Sequence, residues 1–139
     1  MFEKVVLIDD DKFFAATHLD ELKKQFPSVI YCSSVGEAQV VLSSLDCPTL
    51  VVLDVMMPPP SPRHVIETEN GETTGIWLIN ECFESVRDSK SKVVFFTNRG
   101  IEEIDKLIES SKVTEQLCAV LSKSEFTEEE LAEYLVTRT

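Results

Sequence analysis

No apolar run in the sequence approaches the roughly 20 residues that a membrane-spanning helix needs. The opening residues, Met1-Phe2-Glu3-Lys4-Val5-Val6, lack the charge pattern and cleavage site of a secretory signal, so the protein is read as cytoplasmic. Basic residues are scarce. Thirteen Lys and Arg stand against 25 Asp and Glu, a net charge of −12. That argues against general nucleic-acid binding, which needs a basic surface, and against docking on anionic lipid. The four cysteines, Cys32, Cys47, Cys82 and Cys118, form no CxxC pair and none stands beside a histidine. That argues against a zinc site and a thioredoxin-like redox pair. There is no glycine-rich phosphate loop to support nucleotide or flavin binding. Neither of the two histidines carries a catalytic signal. His18 reads as a partly exposed helix residue and His64 as a solvent-facing loop residue. Internal repeats are absent, and no linker is long enough to divide the chain, so residues 1–139 are read as a single domain.

What is present is a series of short apolar runs that end on polar side chains. Thr49 to Leu53, bounded by Pro48 and Pro58, reads as a strand buried on both faces and ends on Asp54. An ionised carboxylate buried alone is costly, so Asp54 must be exposed in a crevice, paired, or bound to a cation. Lys4 to Ile8 is a second such run, ending on Asp9, Asp10 and Asp11. Val29 to Cys32, Val93 to Phe96 and Leu117 to Leu121 are three more. The fourth run in the chain ends on Thr97, and Lys123 follows the fifth by two residues.

Helical patterns alternate with these runs. Ala15, Leu19, Leu22 and Phe26 mark the first, which Pro27 stops. Ser34 to Glu37 has capping-box spacing and opens the second, with Val35, Ala38, Leu42 and Leu45 as its apolar face. Ile76, Ile79, Phe83 and Val86 mark a third, with Trp77 off the stripe and turned to an edge or to the preceding loop. Ile101, Ile104, Leu107 and Ile108 mark the fourth. Thr127 to Glu130 is a capping box that opens the fifth. Five strands alternating with five helices predict an α/β fold with a parallel sheet covered on both faces. Between the third strand and third helix lies an insertion of about 58–74, with Pro58, Pro59, Pro60 and Pro62 at its start and Asn70-Gly71 as a turn signal. Lying directly after Asp54, it is expected beside the crevice.

Ligands of an open parallel sheet bind at the carboxyl ends of the strands. Asp9, Asp10, Asp54, Thr97 and Lys123 all fall there. At an effective dielectric of ~20, two carboxylates ~5 Å apart repel by about 3 kcal/mol, so three need a cation to stay ionised together. An oxygen-rich, sulfur-free cluster suits Mg²⁺, with Mn²⁺ as an alternative. A hydroxyl and an ammonium suit a phosphoryl group. The set therefore reads as a Mg²⁺-assisted site at which a carboxylate accepts phosphoryl.

On these residues the whole chain resembles the response regulator receiver domain of two-component phosphorelays. The carriers are Val5 to Asp11, Val51 to Pro58, Val93 to Thr97 and Leu121-Ser122-Lys123, in order and on the right elements. The resemblance implies a flavodoxin-like, doubly wound five-stranded sheet of order 2-1-3-4-5. It implies that Asp54 is the phospho-acceptor. It gives Asp10 as a direct Mg²⁺ ligand, Asp9 as one acting largely through water, and the Met56 backbone carbonyl as a third. Thr97 and Lys123 are expected to bind the phosphoryl group. The partners implied are a sensor histidine kinase or histidine phosphotransfer domain and an output protein, with the chain a monomer or weak homodimer. A stand-alone receiver, not an enzyme, is the expectation, since Thr139 closely follows the fifth helix.

The sequence also departs from the pattern. Val120 stands where the switch aromatic is usual, Ser124 where proline follows the lysine, and Thr74-Gly75 appears only after the insertion. The residue after the threonine is usually small; here it is Asn98, expected to narrow access to the site and, with Met56, to influence phosphoryl lifetime. Two other readings compete. One is a pseudo-receiver that binds partners without phosphorylation. The other is a haloacid-dehalogenase-like phosphatase, which needs an acid two residues after the nucleophile, where Met56 stands.

Overall fold

The computed structural model describes residues 2–139. Five strands pair in parallel in the order β2-β1-β3-β4-β5: β1 Lys4–Ile8, β2 Ser28–Cys32, β3 Thr49–Leu53, β4 Lys92–Thr97 and β5 Leu117–Ser122. The helices are α1 Lys12–Gln25, α2 Val35–Leu42, α3 Thr74–Glu81, α4 Phe83–Asp88, α5 Ile101–Glu109 and α6 Glu128–Arg138. The five expected helical regions are all present. The third runs as two segments, α3 and α4, because the backbone leaves helical geometry at Cys82, and Phe83 beyond the break is only half-buried.

Side chains alternate across the sheet, as strand geometry requires. Val6, Ile8, Val51, Leu53, Val93 and Phe95 pack under α2, α3, α4 and α5. Val5, Leu7, Leu50, Val52, Val94 and Phe96 pack under α1 and α6. With both faces covered, β3 is buried along its whole length, which explains its unbroken apolar run. A bulge between Val93 and Val94 shifts the β4–β5 register at the solvent-exposed Cys118. Three helix starts carry side-chain caps, from Asp11, Ser34 and Thr127, and Thr127 forms the full capping box with Glu130. Among the described residues, no helix is long and apolar enough to cross a membrane.

His18 differs from its sequence reading. It is only 2% exposed, its ring packed against Phe14 and Phe96, and its Nδ1 has no hydrogen-bond partner. The buried face of α1 runs through Ala15, His18 and Leu22. The imidazole is accepted there as an aromatic ring. Burial lowers its pKa below the usual 6.5, and nearby Lys123 acts in the same direction while Glu128 opposes it. An unfolded chain therefore binds a proton near pH 6.5 that the folded chain refuses. Stability is expected to fall on acidification through that window, by up to about 1.4 kcal/mol per pH unit. Urea unfolding of wild type and His18→Phe between pH 7.5 and 5.5 checks this. The variant should lose that part of the slope, and parallel curves would rule the account out.

Candidate functional site

The sheet register builds the site. Ile8 pairs with Leu53, so Asp9 and Asp54 leave adjacent strands side by side, and the Asp54 N–H donates to the Ile8 carbonyl (3.1 Å). Thr97 ends β4, the strand beyond β3, and Lys123 follows the end of β5. Asp9 is 2% exposed, Asp54 7%, and Asp10 is open to solvent. One oxygen from each of Asp9, Asp10 and Asp54 lies within 4.8 Å of the others.

Lys123 bridges two of these carboxylates. Its Nζ contacts Asp9 Oδ2 at 2.7 Å and Asp54 Oδ2 at 2.8 Å, and lies 4.4 Å from the centre of the Phe14 ring. Burial works against its charge, but the hydrogen bonds to Asp54 and Asp9 outweigh that and raise its pKa. Burial also pushes the Asp9 carboxyl up, opposed by Lys123 and by the Asp11 N–H (2.9 Å). One ammonium against three carboxylates leaves surplus negative charge in a partly dry crevice.

The surroundings hold the carboxylates in place. Met56 donates its N–H to Asp54 Oδ1 (3.2 Å) while its side chain is exposed at the crevice mouth. Tyr31 on β2 donates its hydroxyl to the Asp9 carbonyl (2.7 Å). Asp11 caps α1 by accepting from the Phe14 N–H (3.0 Å). Thr97 is fully buried, and its Oγ1 accepts from the Arg99 N–H (3.2 Å). Asn98 is exposed beside it. Val120 is half-buried against the core under α5. Ser124 bonds Ser122 through their hydroxyls (2.8 Å) in a short 3-10 turn over Lys123–Glu125.

The insertion flanks this crevice. Asp10, Met56, Pro58, Asn70, Gly71 and Glu72 line one groove. Its two stems meet: the Met57 N–H donates to the Gly71 carbonyl (3.1 Å), and the Thr74 hydroxyl to the Met57 carbonyl (2.6 Å). Gly71 has φ +92°, and a Cβ there would press on the Met57 carbonyl. His64, expected in solvent, is half-buried: its Nδ1 meets Ser61 Oγ at 2.8 Å and its ring lies against Trp77. Trp77 faces the loop, donating its indole N–H to Glu67 (2.9 Å). Sequence reasoning missed Tyr31, Phe14 and Arg99. Each acts through a tertiary neighbour, and no local pattern marks them.

No family model matches the chain, and no curated protein matches it. Solved structures do. A CheY-like response regulator receiver domain protein from Methanospirillum hungatei JF-1 superposes with a TM-score of 0.71 at 15% identity, covering 98% of this chain and 92% of its own. A response regulator receiver domain protein from Clostridium thermocellum gives 0.70 at 17%, covering 99% and 94%. The receiver domain of the Francisella response regulator 1452 gives 0.65 at 20%, covering 96% and 93%. At these identities the likeness is one of fold: the chain has the flavodoxin-like α/β fold of response regulator receiver domains, with an acidic cluster at the carboxyl end of its sheet.

Proposed function

We propose that the protein is a phospho-accepting signalling domain in which Asp54 receives a phosphoryl group from a histidine kinase or histidine phosphotransfer domain. The observation that carries this is the Lys123 ammonium held by Asp54 and Asp9, with Asp10 within reach and the buried Thr97 hydroxyl on the next strand. The donor set fits a hard divalent ion. It is all oxygen, it carries more negative charge than Lys123 offsets, and a cation already rests between two of its carboxylates. Asp9, Asp10, Asp54 and the Met56 carbonyl would hold Mg²⁺ or Mn²⁺. When bound, the ion neutralises charge on the transferring phosphoryl oxygens.

The chain's own residues do the rest. Asp54 Oδ attacks phosphorus, an O–P bond forms, and the donor's N–P bond breaks, leaving a histidine imidazole that takes up a proton. Lys123 turns its ammonium to a phosphoryl oxygen. Thr97 rotates its hydroxyl to another. The aspartyl phosphate changes the surface read by an output protein, so the product is a signal rather than a released metabolite.

Intact mass after incubation with acetyl phosphate tests the reading. Wild type should gain one phosphoryl mass only with Mg²⁺, and Asp54→Asn should gain none. An unmodified wild type that also fails to bind beryllofluoride, with its fold intact, would sink the proposal and favour a phosphorylation-independent interaction module.

A further inference from the structure

The insertion is a folded element with its own internal ties. The Thr68 hydroxyl donates to the His64 carbonyl (2.7 Å), and Trp77 holds both His64 and Glu67. One tie leaves the insertion for a different strand. Arg99, two residues past the end of β4, donates from Nη1 to the Glu72 carbonyl (2.8 Å) and pairs through Nε with Glu103 (3.1 Å). Its side chain is only 18% exposed, low for an arginine on a protein this acidic. The N–H of the same residue donates to Thr97 Oγ1. Arg99 thus spans from the Thr97 hydroxyl to the backbone of the insertion.

We propose that Arg99 makes the 61–73 segment a sensor of the phosphorylation site, held closed when Asp54 is unmodified and loosened when it carries phosphoryl. The inference rests on the phospho-acceptor reading of Asp54. A Thr97 hydroxyl that turns to a phosphoryl oxygen leaves the Arg99 N–H without its acceptor. The backbone at 98–100 then shifts, and the guanidinium loses its line to the Glu72 carbonyl. The stem that carries Glu72 is anchored independently at its base, because the Gly75 N–H donates to the Val55 carbonyl beside Asp54 (2.8 Å). The segment therefore loosens about a fixed base. Val120 is a small, half-buried side chain packed against the core, so β5 presents no large side chain to swing in answer to Thr97.

Trp77 is the one tryptophan of the chain, and it touches the segment, so a fluorescence reporter is built in. Hydrogen exchange of peptides covering 61–73, Trp77 emission and intact mass should be followed together in wild type and Arg99→Ala, with Mg²⁺ and acetyl phosphate or beryllofluoride. In wild type, modification should speed exchange of the segment about tenfold and shift the emission. Arg99→Ala should still take up phosphoryl, but its segment should exchange fast from the start and not respond further. Phosphoryl uptake in wild type with unchanged exchange overturns the sensor alone, as does an Arg99→Ala protein that responds like wild type. A folded wild type that neither takes up phosphoryl nor binds beryllofluoride overturns both readings. The wild-type arm decides the matter even where the variant misfolds.

Discussion

Lys123→Met is expected to lower the unfolding free energy by about 3 kcal/mol in the presence of chelator, the scale for breaking a buried ion pair. The Lys123 ammonium lies 2.7–2.8 Å from two carboxylates that are themselves almost fully covered. Methionine matches its stem but removes the charge. Asp9 and Asp54 are then left facing each other and Asp10 in a site of low effective dielectric. One carboxyl must take a proton, or the strand ends must part. A divalent ion should reverse much of the loss, since it binds the folded state and not the unfolded chain. The gain in stability on adding Mg²⁺ should be larger in Lys123→Met than in wild type, where the ammonium competes for the same oxygens. Urea titrations of both proteins, with EDTA and with Mg²⁺, measure it. An equal Mg²⁺ gain in the two would show that the lysine and the ion do not share the cluster.

Gly75→Ala should be as damaging for a different reason. In the second residue of α3, alanine is worth about 1 kcal/mol over glycine by helix propensity. Here the added Cβ would overlap the Asp54 carbonyl oxygen and lie 2.9 Å from Val55 Cα. Both are backbone atoms of a buried strand end, so neither can swing aside. Overlap wins over propensity, and the expected net loss is about 3 kcal/mol, or a melting temperature lower by about 10 °C. Because the obstruction pushes α3 off Asp54, the proposed acceptor, phosphoryl uptake should slow as well. A scanning calorimetry trace matching wild type would show that α3 can move away freely.

The strands and their polar ends were legible because burial on both faces leaves little choice of residue. Val51, Val52 and Leu53 announce a central strand, and Asp54 after them announces its open end. Asp9, Thr97 and Lys123 follow the same logic, so most of the site could be assembled from topology alone. His18 was misread because hydropathy scores an imidazole as polar, whereas its neighbours Phe14 and Phe96 receive it as a flat ring. The fold of the insertion was not legible. Its turns have no period to detect, and Glu69, Asn70 and Gly71 take positive φ in succession, which only the Asn70-Gly71 pair hints at. Arg99 carries no local signal, because its partner Glu72 lies 27 residues away in the chain.

The closure of the insertion stems at Met57, Gly71 and Thr74 has a consequence for how this chain can change over generations. An excursion that departs and returns at one point adds length without displacing what lies before and after it. Loop-closure entropy grows only with the logarithm of length, each doubling adding about 0.6 kcal/mol. Mutation can therefore lengthen, shorten or rewrite residues 60–70 while Asp54 and α3 keep their places. Under the proposed function, the segment beside Asp54 is a module where partner preference can diverge quickly while the scaffold stays constant.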